Sequence, residues 1–338
     1  MKILYKHRIY LLWKGCMRKY RRHFFITSFI SIWIFLWCYQ EFINNGMFNS
    51  ATHGTWNNSN VLHTTGFTAA STIGQVITRN QLGWSIDRNL SCKDDDFLLI
   101  RLKNPHNTPM FVYSENEDMY VSRDIIYTGG HKVRKVNSIM ELMSRFPDAV
   151  FLDIGANVGS FSIPIATSGY RVIAIESLRP SVMRLCASMK KADLTDKLTI
   201  VYNAVTDIRE NVSHLWEDKF ISLSYTVNVD KGKYPVYSII LDDLLEIYNF
   251  TNVIIKIDVL GQEDKVLNGA HKFFNRVRVK GVLLTYVYHK QWISGRFIAD
   301  FMENYGFKPE IPRHSKPNYD RWSPDIILFL PQPIVTSS

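Results

Sequence analysis

The chain has 338 residues, of which 46% are hydrophobic and 21% charged, with 12 prolines, 17 glycines and four cysteines. This composition excludes a disordered tail protein, a collagen-like chain and a small disulfide-stapled domain. The formal net charge is +9, but residues 1 to 23 carry eight Lys or Arg and no acidic residue, which leaves 32 basic and 31 acidic residues in the remainder. The excess positive charge is therefore confined to residues 1 to 23, which are predicted to be a cytoplasmic tail, and it gives no support for a nucleic-acid partner.

Residues 24 to 43 follow the basic tail and begin with FFITSFISIWIFLWCY, sixteen residues without a charge. The segment is predicted to be one transmembrane signal anchor. A cleaved signal peptide would end in small residues, and a buried core helix would not explain the basic flank. The positive-inside rule keeps the N-terminus in the cytosol, and a short aromatic span is typical of early secretory membranes. We therefore expect a single-pass type II protein of the Golgi membrane.

Residues 44 to 91 are rich in Asn, Ser, Thr and Gly and are predicted to form a flexible luminal stem. Four Asn-x-Ser/Thr glycosylation triplets agree with a luminal location: Asn57, Asn89, Asn211 and Asn249. Cys92 and Cys186 either pair in this oxidising compartment or leave a buried free thiol at Cys186, and the sequence leaves both open.

Residues 92 to 333 are predicted to form one domain, followed by a tail of residues 334 to 338. Its unbroken apolar runs indicate strands buried on both faces, at 149 to 154, 171 to 176, 197 to 205, 252 to 259, 278 to 288 and 325 to 330. Helical segments alternate with them: Ser160 to Thr167, Pro180 to Ala192, Leu241 to Tyr248, Glu263 to Phe274 and Ser294 to Tyr305. This alternation predicts an α/β, Rossmann-like, doubly wound and mainly parallel sheet, with a ligand crevice at the carboxyl ends of its strands.

The strongest motif is FLDIGANVGSFS at residues 151 to 162, a buried strand followed by a glycine-bracketed turn and a helix start. Glycine allows close approach of a ligand to the backbone, and the helix N-terminus offers free N–H groups. Asn157 occupies the place of the second glycine in a nicotinamide-type fingerprint. Glu176 ends the next predicted strand, where an acidic residue can accept hydrogen bonds from ribose hydroxyls.

Several motifs together resemble the FkbM-type methyltransferases. They are DIGANVG at 153 to 159, IE at 175 to 176, NAVTD at 203 to 207, LDDL at 241 to 244, IKIDVLGQE at 255 to 263 and VLNGA at 266 to 270. The resemblance spans about residues 120 to 330. It implies S-adenosylmethionine as methyl donor and, most often, a hydroxyl as acceptor.

Carried over residue by residue, the resemblance implies that Asp153, Gly155, Asn157 and Gly159 surround the methionine part of the donor and that Glu176 binds the ribose. Asn203 and Ala204, with the nearby Asp207, would lie beside the adenine. The cofactor-binding residues so implied are Asp153, Gly155, Ala156, Asn157, Gly159, Glu176, Ser177, Asn203 and Ala204.

Asp258, at the end of a buried strand, is the first candidate for the catalytic base or a metal ligand, with helix capping as the structural alternative. Lys256, Glu263 and His289 are further catalytic candidates, and Asp258 with Glu263 would bind a divalent metal if one is used. The sequence departs from the family pattern at Leu260, Gln262 and Thr285 and in the early position of Pro164, which puts the acceptor chemistry in doubt.

The acceptor is less visible in the sequence than the donor. Aromatic residues near strand ends suit sugar rings, although core packing explains most such residues: Tyr286, Tyr288, Trp292 and Trp322. A luminal methyltransferase meets glycans first. We therefore expect O-methylation of a sugar hydroxyl on glycoprotein or glycolipid glycans, with the oligomeric state open.

Two other functions compete with this prediction. A Golgi glycosyltransferase shares the tail, span and stem, and KDDDF at 93 to 97 supplies Asp94 and Asp96 for an Asp-x-Asp metal site, although a solvated acidic turn explains them as well. In a non-catalytic binding module, Leu260 and Thr285 would mark a decayed acceptor site.

Overall fold

The computed structural model describes residues 68–332, except 91, 95, 104, 210–235, 312–318, 320, 321 and 323. The predicted basic tail, the membrane segment, most of the stem, the C-terminal tail and the glycosylation triplets at Asn57 and Asn211 lie outside the described residues. None of the helices in the described part is long and apolar enough to cross a membrane.

Thirteen strands and eight α-helices are present in the described residues. The strands are β1 (Val76–Asn80), β2 (Gly83–Ile86), β3 (Leu98–Arg101), β4 (Pro109–Val112), β5 (Val150–Ile154), β6 (Val172–Glu176), β7 (Leu198–Tyr202), β8 (Ala204–Val205), β9 (Ser238–Ile239), β10 (Asn252–Ile257), β11 (Arg278–Thr285), β12 (Phe307–Glu310) and β13 (Ile326–Pro331). The helices are α1 (Ala69–Thr72), α2 (Val121–Thr128), α3 (Val133–Arg145), α4 (Ser162–Thr167), α5 (Arg179–Lys191), α6 (Glu263–Asn268), α7 (His271–Arg276) and α8 (Ile293–Asn304), with a 3₁₀ helix at Leu241–Glu246.

The main sheet has the strand order β12-β13-β11-β10-β5-β6-β7-β1-β2. The strands from β11 to β1 are parallel neighbours, whereas the β11–β13, β13–β12 and β1–β2 pairs are antiparallel. All five residues of β5, β6 and β7 are buried, as expected for parallel strands covered on both faces. The predicted mainly parallel, doubly wound α/β fold is therefore confirmed.

The folded domain begins earlier than the sequence predicts. β1 and β2 lie within the predicted stem, and β1 pairs in parallel with β7. Ile77 and Trp84 are buried in the core on this edge of the sheet. The apolar runs of β1 and β2 are short and lie among polar residues, which is why the sequence pattern does not indicate strands here. The prediction of a flexible stem is wrong from Ala69 onward.

Several predicted helices and strands differ in detail. The predicted helix at 263 to 274 is two helices, because α6 ends at Asn268 and α7 begins at His271. Gly269 between them packs closely against Thr206, whose carbonyl oxygen would lie 2.5 Å from a Cβ at that position. The run predicted at 325 to 330 is the antiparallel strand β13, because β12 precedes it without a crossover helix. Pro164 is the third residue of α4, where the missing N–H breaks no helical hydrogen bond.

Helix α3, which precedes the sheet motif, was not predicted. Its buried residues recur at helical spacing and pack in the core beneath the sheet: Val136, Ile139, Leu142 and Met143. The helix places its first turn near the carboxyl ends of the strands, where Lys132 reaches Asp258.

A disulfide joins Cys92 to Cys186 and so links the segment before β3 to helix α5. Beside it, the Arg184 guanidinium lies 3.7 Å from the ring centroid of Tyr113 and 4.4 Å from that of Phe97. The alternative left open by the sequence is thereby resolved in favour of pairing, and the β3-β4 hairpin is fastened to the central domain.

Candidate active site

The glycine-bracketed turn leaves the carboxyl end of β5, as the sequence predicts. Gly155 has φ +78°, and a Cβ there would lie 2.0 Å from the Asp258 carbonyl oxygen. The N–H groups of Gly155 and Ala156 both donate to the Ile175 carbonyl, at 2.9 and 3.0 Å. Asn157 also has a positive φ, +50°, a conformation that Asn tolerates better than most residues. The turn therefore requires glycine at 155 and brings β5, β6 and β10 together at one edge.

Glu176 ends β6, and its carboxylate caps the adjoining backbone. It accepts hydrogen bonds from the N–H groups of Asn157 at 2.7 Å, Ser177 at 2.9 Å and Leu178 at 2.8 Å. Burial raises the pKa of Glu176 above its ordinary value, although these three bonds act in the opposite direction. An ionised carboxylate accepts about four hydrogen bonds, so one acceptor position remains for a hydroxyl.

Asp153 and Lys256 form a buried ion pair between the neighbouring strands β5 and β10. Lys256 Nζ lies 2.8 Å from Asp153 Oδ1 and 2.9 Å from the Gly155 carbonyl oxygen, and Ser162 donates to Asp153 Oδ2 at 2.6 Å. Burial would lower the pKa of Lys256, but the Asp153 and Asp258 carboxylates outweigh it and raise that pKa. Asp153 is predicted to bind the cofactor and Lys256 to act in catalysis. Both side chains are instead buried beneath the glycine turn, which they support, and they do not line the opening of the site.

Asp258 follows β10 directly beside the glycine turn, and its N–H donates to the Ile154 carbonyl at 3.0 Å. Its side chain is 19% exposed, and Oδ2 lies 3.0 Å from Lys132 Nζ. Burial raises the pKa of the carboxyl, yet Lys256 and Lys132 outweigh it and hold the pKa of Asp258 below its usual range. Of the four catalytic candidates, Asp258 alone presents an ionised, partly exposed group at the turn.

Glu263 and His289 form a second, fully buried pair behind Asp258. Glu263 accepts hydrogen bonds from Val259 N and Gly261 N, both at 2.9 Å, and lies 2.6 Å from His289 Nε2. His289 Nδ1 lies 2.8 Å from Ser294 Oγ. Because the carboxylate of Glu263 is used within the protein, it shapes the loop after Asp258, in which Leu260 has φ +56°. Within the described residues, no three His, Cys, Asp or Glu side chains are grouped to bind a metal ion.

Asn203 is placed differently from the role that the resemblance implies. Its amide nitrogen donates to the carbonyls of Arg79 and Tyr237, both at 2.8 Å, and its Oδ1 accepts from Arg79 N at 2.9 Å. The side chain therefore joins β1 to the end of β7. Ala204 lies next to it in β8, while Asp207 accepts hydrogen bonds from Thr206 and Asn268.

Lys132 is the site residue that the sequence reasoning missed. It precedes α3 in a left-handed backbone conformation, φ 48° and ψ 38°, which is rare for a residue other than glycine. The signal available in the sequence was HKVRK at 131 to 135, a basic run after Gly129 and Gly130. No motif links this run to Asp258, 126 residues later.

The aromatic candidates divide into buried and exposed groups. Tyr286 and Trp322 are core residues with ring centroids 5.2 Å apart, so neither lines an opening. Tyr288 interacts electrostatically with Asp258 and Tyr120, and burial raises the pKa of its phenol to about 12. Trp292 is 68% exposed and Tyr120, which the sequence did not single out, is 59% exposed.

The residues at this edge fit S-adenosylmethionine. Gly155 lets the turn pack directly against the Asp258 carbonyl at the carboxyl edge of the sheet, and Glu176 has acceptor capacity for a ribose hydroxyl. Ala156, Asn157 and Gly159 complete the turn that would face the methionine part, and Ser177 follows Glu176.

The sequence of the domain is similar to those of known methyltransferases. Residues 153–309 match the family model of the methyltransferase FkbM domain. The 23S rRNA (uracil(1939)-C(5))-methyltransferase RlmD of Shewanella woodyi is 28% identical over 116 residues, which are 32% of this chain. The match covers only 25% of the length of that relative.

Solved structures also match with low scores. Precorrin-6y C5,15-methyltransferase from Geobacter metallireducens has a TM-score of 0.32 and 15% identity, covering 56% of this chain and 84% of that one. Magnesium protoporphyrin IX methyltransferase from Synechocystis, with bound SAM, has a TM-score of 0.33 and 14% identity, covering 59% and 79%. The match to the methyltransferase FkbM domain covers residues 153–309 and supports an S-adenosylmethionine-dependent methyltransferase domain there.

Proposed function

We propose that this protein is an S-adenosylmethionine-dependent O-methyltransferase that acts on a sugar hydroxyl of glycoprotein or glycolipid glycans in the Golgi lumen. One observation carries the proposal more than any other. The partly exposed carboxylate of Asp258 stands beside the Gly155 turn, so a proton acceptor and the cofactor-binding turn share one edge of the sheet.

Asp258 is ionised and partly exposed beside the turn, so it can accept the proton that O-methylation releases. The lysines that lower its pKa also make it a weaker base, so positioning supplies more of its effect. S-adenosylmethionine supplies an electrophilic methyl group and leaves as a neutral thioether. The acceptor hydroxyl gives its proton to Asp258 as its oxygen forms the new bond to carbon, and the proton then passes to water. The Lys132 ammonium fixes the carboxylate in one orientation at 3.0 Å, which positions the proton acceptor.

Exposed aromatic side chains support a sugar as the acceptor. Tyr120 and Trp292 are exposed, and Tyr288 interacts electrostatically with both Asp258 and Tyr120. Aromatic faces pack against the C–H faces of sugar rings, while the phenol groups donate hydrogen bonds to hydroxyls.

The disulfide supports a luminal location. A Cys92–Cys186 bond forms and persists in an oxidising compartment and is rare in the cytosol. Asn89 and Asn249, the two acceptor asparagines within the described residues, are both exposed. The Golgi membrane anchor at residues 24 to 43 and an acceptor other than nucleic acid remain part of this proposal.

The glycosyltransferase alternative draws less support. Asp94 and Asp96 are exposed in the turn that leads into β3, where the Asp94 carbonyl accepts from Phe97 N at 3.1 Å. β3 pairs with β4 in a separate two-stranded sheet rather than with the main sheet. The acidic run therefore lies apart from the strand ends at which α/β folds bind ligands.

The test uses the full-length chain, expressed in secretory cells, purified in detergent, and incubated with isotopically labelled S-adenosylmethionine and a panel of glycosides. We expect label on a sugar oxygen. Asp258→Asn should lower transfer about a hundredfold or more, the usual contribution of a general base, while cofactor binding stays within about twofold. Asp300→Asn, which removes an exposed carboxylate of α8, is the matched control and should transfer normally.

The other outcomes separate the alternatives. Cofactor binding without transfer to any acceptor would favour a non-catalytic binding module. A folded chain that does not bind S-adenosylmethionine would overturn the proposal and return attention to Asp94 and Asp96.

A further inference from the structure

A cleft of about 640 Å³ opens between helix α3 and the start of strand β13, and Lys132, which contacts Asp258, is one of its lining residues. Its lining includes Lys132, Arg134 and Lys135 from the beginning of α3, and Asp325 and Ile326 from the β13 edge. Ile326 pairs with Thr285, the last residue of β11, so the cleft lies at the carboxyl edge of the parallel strands. Its volume is within the range of about 300–1,000 Å³ that is typical of ligand sites.

Each carboxylate that lines this cleft contacts a basic side chain, whereas two of its cations have no carboxylate partner among the described residues. Asp325 pairs with Lys290 at 2.7 Å, and Asp124 lies 2.9 Å from the His131 ring. Arg134 is exposed, and neither Arg134 nor Lys135 forms an ion pair with any residue that the structure describes. Lys135 Nζ donates only to the Ile326 carbonyl, at 3.3 Å. Two positive charges therefore face the cleft with hydrogen-bonding capacity to spare.

Lys132 connects the cleft to the candidate base. It lines the cleft, and its ammonium group contacts Asp258 at 3.0 Å. Its left-handed backbone turns the side chain toward Asp258 while Arg134 and Lys135 follow on the first turn of α3. A ligand bound at Arg134 and Lys135 would thus be separated from the carboxylate that accepts the proton by the Lys132 side chain alone.

We propose that this cleft is the acceptor subsite and that it binds a negatively charged group of the acceptor, so that the substrate is an acidic sugar with a carboxylate or sulfate ester near the methylated hydroxyl. The inference rests on the proposed function and narrows its substrate class. A guanidinium matches the planar oxygens of either anion with paired hydrogen bonds, and the Lys135 ammonium adds a second charge. A neutral sugar would leave both cations without a partner.

The test compares matched acceptors with the full-length chain: a phenyl β-glucuronide against the β-glucoside, and a sulfated phenyl galactoside against the unsulfated one. We expect kcat/KM to be about tenfold or more higher for the charged member of at least one pair, as for gain of charge-assisted hydrogen bonds. The pair that shows the preference identifies carboxylate or sulfate as the anion. Arg134→Gln with Lys135→Gln should reduce that ratio about tenfold.

The double change Lys272→Gln with Arg276→Gln is the control, because it removes the same charge from exposed positions of helix α7, outside this cleft. It should keep the wild-type ratio. Equal use of charged and neutral sugars by the wild type would overturn the inference and leave the methyltransferase proposal intact. So would a preference that survives the double change at Arg134 and Lys135.

A second measurement decides the case in which no glycoside is methylated and the proposed function fails. The same glycosides are then titrated onto the chain by calorimetry. Salt-sensitive binding of a charged glycoside that is lost with Arg134→Gln alone, an exposed position that the fold does not need, would support the anion site. Absence of binding would overturn it.

Discussion

Lys256 Nζ lies 2.8 Å from Asp153 Oδ1, and the two buried side chains join β5 to β10 directly beneath the glycine turn. Lys256 also donates to the Gly155 carbonyl at 2.9 Å. The backbone that approaches the cofactor is therefore held from below by an ion pair, and the turn cannot shift without moving a buried charge. This relationship makes the pair a stability element of the site, with consequences that can be measured.

Lys256→Met should lower the free energy of unfolding by about 3–5 kcal/mol, because it leaves the Asp153 carboxylate buried and uncompensated. Adding Asp153→Asn should recover part of the loss, since the unpaired charge is then removed. Urea denaturation with intact disulfides measures both. Lys308→Met, at an exposed position of β12, should stay within about 0.5 kcal/mol of the wild type. A loss for Lys256→Met no larger than about 1 kcal/mol would mean that the pair behaves as a surface salt bridge.

Gly155→Ala should abolish measurable S-adenosylmethionine binding, because its Cβ would lie 2.0 Å from the Asp258 carbonyl oxygen and force the turn apart. Gly169→Ala is a matched control. Gly169 also has a positive φ, +94°, but a Cβ there would contact nothing within 4 Å. Both variants carry backbone strain of about 1–2 kcal/mol, so calorimetric titration of the cofactor separates strain from the clash. Retention of binding by Gly155→Ala would contradict the proposed cofactor turn.

The pH dependence of transfer tests Asp258 as the base. Lys256 and Lys132 hold the pKa of Asp258 below its usual range, and burial raises the pKa of Tyr288 to about 12. Neither group changes its charge between about pH 5 and 8, so kcat/KM should show no acid limb from these groups in this range. Rates with a sugar acceptor over this range provide the measurement. A limb near pH 6.5, where imidazoles ordinarily titrate, would assign the proton acceptor to a histidine.

The local part of the cofactor site was predictable from sequence. The glycine turn and Glu176 follow directly after buried strands, so their place at the carboxyl edge follows from the pattern of strands. The contacts of Asp153 and Lys256 depend on the adjacency of β5 and β10, whose residues are 103 positions apart in the chain. Both residues were found by motif, but their partnership needs the strand order, which no local pattern contains.

The acceptor side was harder to predict for a related reason. Lys132 precedes the whole glycine motif and reaches Asp258 only because α3 packs beneath the sheet. β1 was assigned to the stem because its polar neighbours hide a short buried run, and its pairing with β7 is settled by tertiary contacts. Glu263 and His289 are predicted to be catalytic, since acidic and imidazole groups near strand ends can transfer protons. In the folded chain both side chains are buried, and Glu263 accepts hydrogen bonds from the backbone of the loop after Asp258.

Glu263 should make stability fall as pH rises. Burial raises its pKa in the folded chain, so the folded state holds a proton that the unfolded state has released, and ∂ΔG/∂pH is negative above the ordinary Glu pKa of about 4.3. Glu263→Gln removes this titration and should give a shallower decline in urea midpoint between about pH 5 and 7. The variant should also cost about 1–3 kcal/mol, because an amide nitrogen cannot accept from Val259 N or Gly261 N.

Exposed Glu303→Gln is the matched control and should keep the wild-type slope. Equal slopes for wild type and Glu263→Gln would mean that Glu263 keeps an ordinary pKa in the folded chain.

The Cys92–Cys186 bond should contribute strongly to stability, because it joins residues 94 positions apart and restricts a long loop of the unfolded chain. For a loop of this length the chain-entropy estimate is about 4–5 kcal/mol. Replacing both cysteines with alanine should therefore lower the urea midpoint, and reducing the wild-type protein should lower it by a similar amount. Reduction should leave the midpoint of the double variant unchanged, which excludes a direct effect of the reductant. If reduction does not destabilise the wild type, the bond is absent from the folded protein and the support it gives to a luminal location is withdrawn.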